Sequence, residues 1–97
     1  MKLDILAFGA HPDDVELGAA ATIAKEISLG KKVGIIDLTQ GELGTRGSKE
    51  LRKVEASKAA KVLGVSLREN LKFADGFFVN DKEHQIEVVK LIRKYKP

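Results

Sequence analysis

The sequence predicts an α/β fold, a parallel sheet with flanking helices, and the order of its segments is the main reason. Three short apolar runs alternate with three longer stretches in which apolar residues recur with the helical period. Strands that alternate with helices in this way form parallel sheets joined by right-handed crossovers, with the helices packed over the sheet. We therefore expect a βαβαβα arrangement.

The first strand and the first helix are predicted near the N-terminus. Residues 3–9, LDILAFG, form a short and mostly apolar run that is typical of a strand. The helix is expected to span about residues 14–29, because Gly30 follows where a left-handed C-terminal cap is favoured. The apolar residues that recur in it at three- and four-residue steps are Leu17, Ala20, Ala21, Ala24 and Ile27.

Two further strands and the second helix follow along the chain. The strands are predicted at residues 33–38, VGIIDL, and at residues 70–73, NLKF. The helix between them is expected at about residues 49–63, because Gly64 is a typical stop and an apolar stripe precedes it. The residues of that stripe are Ala56, Ala59, Ala60 and Leu63.

The third helix is predicted at about residues 81–95. Asn80 and Glu83 have the spacing of a capping box at its start. The residues that follow the helical period in it are Ile86, Val89, Ile92 and Arg93.

The three strands make only half of a Rossmann-like sheet. Pro97 follows the third helix, at the point where a fourth parallel strand is expected to begin and to cover apolar surface left open by that helix. Residues 1–97 are therefore predicted to be the N-terminal part of a single domain.

The composition excludes several classes of function. With 43% apolar and 32% charged residues, and no apolar run near the roughly 20 residues of a membrane span, the chain is expected to be cytoplasmic, without a membrane partner. The absence of cysteine excludes disulfides and thiolate metal sites. The net charge of +3 is dispersed among acids, so no nucleic-acid partner is expected.

The stretch FGAHPDDVELG, residues 8–18, places three polar side chains directly after the first strand. The carboxyl ends of parallel strands form the edge at which such sheets bind ligands. His11 and Asp14 are three residues apart, so they can converge on one point if Pro12 is the first helical residue. Two adjacent carboxylates would repel a phosphate and attract a cation.

A histidine and a carboxylate without sulfur suit zinc, although iron or manganese could also occupy the site. A bound metal lowers the pKa of a water molecule to about 7, and Asp13, which lies between the two ligands, could accept its proton. This interpretation predicts metal-assisted hydrolysis. The structural alternative is that an aspartate caps the helix and that His11 is a polar surface residue.

The runs AHPDDVELGAAATIA and LTQGELGTRG resemble the PIG-L/LmbE-like family of zinc-dependent N-deacetylases, which act on N-acetylglucosamine conjugates. The segments LRKVEASKAAKVLG and FADGFFVND make the chain most similar to the bacillithiol-pathway branch, whose members deacetylate N-acetylglucosaminyl malate. The resemblance implies a Zn²⁺ cofactor, with His11 and Asp14 as ligands and Asp13 as the general base. It also implies a small-molecule substrate and a homo-oligomeric full-length protein.

The resemblance further implies two histidines that these residues do not contain. The third zinc ligand belongs to a downstream His-Pro-Asp-His-like stretch, and another histidine near the C-terminus stabilises the tetrahedral intermediate. The remaining histidine of the sequence, His84, matches no ligand position and is expected to be an exposed residue near a helix start. The 97 residues alone are therefore predicted to be inactive.

Four further residues are predicted to contact the substrate. Glu42 and Arg46 lie in the glycine-containing loop GELGTRG after the second strand, on the same edge of the sheet as His11. The resemblance matches Glu42 to a substrate-contacting acid, Arg52 to an arginine that binds a polar aglycone, and Asp75 to a sugar-binding position. The structural alternatives are a surface pair of Arg52 with Glu55 and a turn formed by Asp75.

Two other functions are compatible with the βαβ order. A Rossmann-like nucleotide-binding module needs a glycine fingerprint, GxGxxG, where this sequence has GAHPDD. A non-catalytic interaction fragment could recruit another chain through the exposed edge of the third strand. Bound metal that depends on His11 would favour the deacetylase over both.

Overall fold

The computed structural model describes residues 1–45 and 47–97, and it confirms the predicted α/β fold. All three strands are parallel and lie in the order β1-β2-β3, so each strand neighbours the next one along the chain. The strands are β1 (Ile5–Gly9), β2 (Val33–Thr39) and β3 (Leu67–Phe73). The helices are α1 (Asp14–Ser28), α2 (Lys49–Leu63) and α3 (Lys82–Tyr95).

The central strand, β2, is the most buried element. Val33, Ile35 and Ile36 are fully buried, as expected for a parallel strand that is covered on both faces. Val33 and Ile35 form a core cluster with Val15 and Ile23 of α1, which packs over one face of the sheet. This packing fixes the N-terminal end of α1 close to the end of β1.

The third helix packs on the opposite face of the sheet. Neighbouring residues of a strand point to opposite faces, and Arg68 contacts α1 and α2 whereas Glu69 accepts a hydrogen bond from the Tyr95 hydroxyl at 2.7 Å. The Leu3 N–H also donates to the Tyr95 carbonyl at 2.8 Å. The sheet therefore carries helices on both faces.

Several predicted element boundaries are correct and others need correction. The second helix spans residues 49–63 as predicted, and Gly64 ends it with a left-handed φ of 80°. The first strand begins two residues later than expected, because the Leu3 N–H pairs with α3. The third strand begins at Leu67, three residues early, because the polar side chains of Arg68 and Glu69 find partners within the fold.

Most of the predicted apolar stripe of the first helix does not face the core, with Ile27 as the exception. Leu17 is 82% exposed, whereas the residues that face the core are Val15, Ala19, Ile23 and Ile27. The helix carries apolar residues around most of its circumference, so more than one helical phase fits its pattern. Packing against the sheet selects the face.

The predicted start of α1 at residue 14 is confirmed, whereas α3 starts one residue later than predicted and has a different cap. Pro12 lies in a turn, and α1 begins at Asp14 with Asp13 in the capping position. At α3 the cap is Asp81, whose carboxylate accepts from the His84 N–H at 3.0 Å, and Asn80 lies outside the helix.

The apolar stripe of α3 remains largely uncovered in this part of the chain. Ile86, Val89 and Ile92 are each 42–43% exposed.

Within residues 1–45 and 47–97, none of the helices has the length and apolar character needed to cross a bilayer.

Candidate active site

Three loops leave the carboxyl ends of the strands and meet at one edge of the sheet. The first two loops are joined through Thr39 at the end of β2. Its N–H and its hydroxyl both donate to the Ala10 carbonyl, at 3.1 and 2.8 Å, and its hydroxyl oxygen accepts from the Gly41 N–H at 3.1 Å. These bonds hold the turn that contains His11 against the start of the glycine-containing loop.

The structure brings His11 and Asp14 together, although Pro12 is not helical. His11 Nδ1 lies 3.2 Å from Asp14 Oδ2, and the His11 backbone N–H donates to the same oxygen at 2.9 Å. Two ligand atoms at 2.0–2.1 Å from a tetrahedral zinc ion are about 3.3 Å apart. The two side chains are therefore spaced like two ligands of one such ion.

Asp75 holds the other nitrogen of the His11 ring. His11 Nε2 lies 2.9 Å from Asp75 Oδ1, so an Nε2–H donated to this carboxylate leaves the Nδ1 lone pair free to face Asp14. A carboxylate in this position orients metal-binding histidines and fixes their tautomer. The donor set at His11 thus fits a zinc ligand and its supporting carboxylate.

The second oxygen of Asp75 holds the neighbouring loop. Asp75 is 6% exposed, and its Oδ2 accepts from the Leu43 N–H at 2.9 Å. The Asp75 N–H in turn donates to Glu42 Oε2 at 3.1 Å. One buried residue therefore connects the histidine turn with the loop after β2.

These contacts shift the pKa values of the site. Partial burial disfavours the charged form of His11, but hydrogen bonds and attraction to Asp75 and Asp14 outweigh it, so the His11 pKa is raised. The Leu43 N–H and His11 lower the pKa of Asp75 in spite of burial. Hydrogen bonding from the Asp75 N–H lowers the pKa of Glu42. The carboxylates of Asp75 and Glu42 are thus ionised at neutral pH.

In the described part of the chain, the carboxylate of Asp13 does not cap α1. Asp13 occupies the position before α1, where an aspartate ordinarily accepts from a backbone N–H of the first turn. Within the described residues its side chain makes no such bond, so the capping alternative does not apply. Asp13 lies with His11, Arg52 and Asp75 around an open depression of about 400 Å³.

Arg52 reaches this depression from α2 by passing against the glycine-containing loop. A Cβ on Gly41 would lie 2.6 Å from Arg52 Nη1, and a Cβ on Gly44 would touch Arg52 Nη2 and lie 2.8 Å from Cζ. Gly41 also has a left-handed φ of 63°, which glycine adopts without strain. Both glycines therefore make room for the guanidinium.

The other residues singled out by the sequence are Glu42, Arg46 and His84. Glu42 reaches the site through its bond to Asp75, whereas Arg46 lies outside the described residues. His84 is partly buried, with its ring edge-on to Phe73 at a centroid distance of 4.4 Å and its Nδ1 at 2.6 Å from Asp81 Oδ1. It is thus a packing and capping residue more than an exposed one.

A third metal ligand is not found in the described part of the chain. Among residues 1–45 and 47–97, no three His, Cys, Asp or Glu side chains are placed to hold a metal ion. A catalytic zinc ion usually has three protein ligands, of which His11 and Asp14 could supply two.

Sequence reasoning missed the contributions of Thr39 and Leu43. The sequence marks Thr39 only as the residue after a predicted strand, and Leu43 acts through its backbone N–H, which no side-chain pattern reveals. The signal for Thr39 is a hydroxyl residue at the end of a buried strand, next to a loop that approaches the histidine turn.

Comparison with known proteins identifies the family. Residues 6–97 match PIG-L, described as GlcNAc-PI de-N-acetylase. The chain belongs to the PIG-L family. Curated PIG-L relatives include the uncharacterized deacetylase YaiS of Escherichia coli K12, which is 42% identical over 73% of this chain. The diacetylchitobiose deacetylase of Thermococcus kodakarensis is 34% identical over 96% of it.

Solved structures agree with this PIG-L assignment. The conserved protein TT1542 from Thermus thermophilus superposes with a TM-score of 0.89 over 95% of this chain, at 39% identity. The chain spans 38% of the length of each of the two curated relatives and 42% of the Thermus chain. The shared region therefore contains the sheet edge described above, within longer PIG-L proteins.

Proposed function

We propose that this chain is the N-terminal part of a zinc-dependent N-deacetylase that removes acetate from an N-acetylglucosamine conjugate. The observation that carries the proposal is the 3.2 Å separation of His11 Nδ1 and Asp14 Oδ2, next to the carboxylate of Asp13, which makes no cap bond to α1 within the described residues. The names of the relatives support the reaction class, since both are deacetylases.

The zinc ion would be held by His11 and Asp14 together with a histidine from a longer chain. Bound there, it supplies a Lewis acid for the acetamide carbonyl and lowers the pKa of a water molecule to about 7. Asp75 keeps the His11 ring in the orientation that presents Nδ1.

Asp13 accepts the proton of the attacking water in this mechanism. Its side chain lies next to Asp14 in the chain and is not bound to the helix, so it can approach a water molecule at the mouth of the depression. The same carboxyl group then returns the proton to the departing amine, which completes the hydrolysis.

Arg52 would bind an anionic group of the substrate. Its planar guanidinium pairs well with carboxylate oxygens, and it lines the same depression as His11 and Asp13. This placement supports N-acetylglucosaminyl malate, of the bacillithiol pathway, as the substrate. Glu42 and Asp75 would contact sugar hydroxyls, and Arg46 would add a second cation. No feature of the described residues favours the nucleotide-binding alternative.

Replacing Asp13 tests the assignment of the base. In the full-length protein, Asp13→Asn should lower the rate of acetate release by about 10²–10⁴-fold, because the amide cannot accept the proton. Zinc content, measured by elemental analysis, should stay at the parent level because Asp13 is not a ligand. Parent-level turnover in Asp13→Asn would exclude it as the base.

The two histidines provide a matched test of the metal site. His11→Ala should lose zinc, whereas His84→Ala should retain it, because the His84 ring packs against Phe73 and bonds to Asp81. Equal zinc contents in the two variants would contradict the proposed ligand. Acetate release without any bound metal would contradict zinc dependence.

A further inference from the structure

Arg68 is a buried arginine that lies outside the depression at His11. Its side chain is 8% exposed, and its guanidinium forms a fork on Asp37, with Nε donating to Oδ2 at 2.7 Å and Nη2 to Oδ1 at 3.0 Å. Nη2 also donates to Glu16 Oε1 at 3.0 Å, and Nη1 to the Ala56 carbonyl at 3.4 Å. One side chain of β3 therefore contacts β2, α1 and α2.

These bonds leave Arg68 little capacity to bind a ligand. A guanidinium has five N–H donors, and the four bonds to Asp37, Glu16 and Ala56 occupy most of them. Arg68 lines a cavity of about 220 Å³ between α2 and β3, but its charge is already directed at two carboxylates. Its partners lie inside the protein.

The two carboxylates belong to segments that lead directly to the candidate active site. Glu16 is two residues after Asp14, in the first turn of α1. Asp37 is two residues before Thr39, which holds the histidine turn through the Ala10 carbonyl. Arg68 thus fixes the first turn of α1 relative to the end of β2.

The first turn of α1 has few other attachments. Asp13 provides no side-chain cap within the described residues, so the turn is held by the bonds of Asp14 to His11, by the apolar contacts of Val15 and by Glu16. Of these, the ion pair of Glu16 with Arg68 is the one that reaches another polar group of the sheet. Loss of that pair would leave the turn attached through the local bonds of Asp14 to His11 and the apolar contacts of Val15, without a polar link to the sheet.

Stability alone does not account for an ion cluster in this place. Burial raises the pKa of Asp37 in spite of its bonds to Arg68, which reflects the cost of desolvating the carboxylate. Apolar side chains of similar volume often stabilise a protein as well as, or better than, a buried ion pair or triad. Unlike apolar contacts, the forked bonds define one relative position of the two carboxylates.

We propose that Arg68 is a positioning residue of the metal site. Through Glu16 and Asp37 it sets the separation between the first turn of α1 and the end of β2, and it thereby supports the local bonds that place Asp14 beside His11. This inference rests on the proposed function, because it assigns Arg68 a role toward the zinc ligands.

The test measures zinc affinity, by competition with a chelating indicator, in the full-length protein. Arg68→Met should weaken zinc binding about tenfold, the low end for residues that orient ligands. Arg68→Lys should not rescue it, because an ammonium group cannot form the fork. Tyr95→Phe is the matched control, since it removes a buried bond to the adjacent Glu69 on the other face of the sheet.

A triple variant separates positioning from stability. Glu16→Met, Asp37→Leu and Arg68→Met together should recover the Tm lost in Arg68→Met, while zinc affinity stays low. Parent-level zinc affinity in the folded triple variant, or in Arg68→Met itself, would overturn the proposal. If Arg68→Met does not fold, Glu16→Gln takes its place, and unchanged affinity in that variant would overturn the proposal equally.

A second readout distinguishes this inference from the proposed function. Amide hydrogen exchange at residues 17–20 should be faster in Arg68→Met than in Tyr95→Phe, whether or not zinc is bound. A parent protein that binds no zinc would refute the proposed function, and exchange would then still report on the role of Arg68. Equal exchange in the two variants would refute positioning by Arg68.

Discussion

Asp75 illustrates how single residues connect the site. The family resemblance predicts a sugar contact for it, and the structure shows that both of its carboxylate oxygens accept bonds from protein groups, His11 and Leu43. A sugar hydroxyl would have to share these oxygens. Asp75 therefore joins the orientation of the proposed zinc ligand to the position of the loop that faces the substrate.

Gly44, one of the two glycines that lie against Arg52, leads to a prediction at the residue scale. Gly44→Ala should push the Arg52 guanidinium away, because the new Cβ would touch Nη2. Loss of the hydrogen bond between the charged Arg52 guanidinium and an anionic substrate should raise KM for that substrate about tenfold. Steady-state kinetics of the full-length protein measure this change.

Gly18→Ala is the matched control for Gly44→Ala. A Cβ at Gly18 would meet no atom within 4 Å among the described residues, so kinetics should not change. An unchanged KM in Gly44→Ala would show that Arg52 does not bind the substrate from its present position.

Residue-level prediction from sequence succeeded where chemistry and local spacing coincide. His11, Asp13 and Asp14 are neighbours in the chain, and their position after a strand was enough to place them at one edge. The bond between His11 and Asp75 joins residues 64 positions apart. No local pattern encodes such a bond, since it depends on how three parallel strands align.

At the scale of elements, α2 and α3 start with caps of the same geometry and different chemistry. Ser48 accepts from the Leu51 N–H at 3.1 Å, and Asp81 accepts from the His84 N–H at 3.0 Å. Only the second cap titrates, and bonds from His84 lower the Asp81 pKa. The two helices should therefore respond differently to acid.

Acid titration of two cap variants tests this difference. Because the folded pKa of Asp81 is lowered, its contribution is present above the ordinary pKa of 3.8 and is lost as pH falls through the folded value. Asp81→Ala should thus destabilise the full-length protein at pH 7 and progressively less below about pH 4. Denaturant unfolding at each pH measures the difference from the parent.

Ser48→Ala serves as the control for the acid titration. It should cost about 1 kcal/mol at every pH, because a hydroxyl cap does not titrate. A loss in Asp81→Ala that stays constant down to pH 2 would show that ionisation of this cap does not contribute to stability.

The sequence predicts the ends of helices at glycine residues most accurately, and it predicts which face of a helix is buried least accurately. Gly30 and Gly64 end their helices with positive φ, as expected from the absence of a Cβ. The face of α1 could not be inferred, since Leu17 and Val15 are both apolar and only the sheet decides which is buried. The extra length of β3 likewise depends on partners of Arg68 that are distant in sequence.

At the scale of the whole molecule, Leu3 joins the N-terminus to the end of α3. It is fully buried, its N–H bonds to the Tyr95 carbonyl, and its Cδ1 fills the space beside Gly34. Leu3→Ala should lower the free energy of unfolding by about 3 kcal/mol, because it leaves a cavity between α3 and the sheet.

Chemical denaturation of the full-length protein measures the effect of Leu3→Ala. Leu29→Ala is the control, because Leu29 is 65% exposed, and its effect should stay within about 0.5 kcal/mol. Equal losses in the two variants would show that the junction of Leu3 with α3 does not contribute to global stability.

The order of the strands determines the direction from which the site can be completed. In the described part of the chain β1 pairs only with β2, so the strand that carries the histidine turn has one open side. Adjacent strands are about 4.8 Å apart, so a donor at the end of a new strand on that side would arrive beside His11. Completion of the coordination sphere is therefore expected from the open flank of β1.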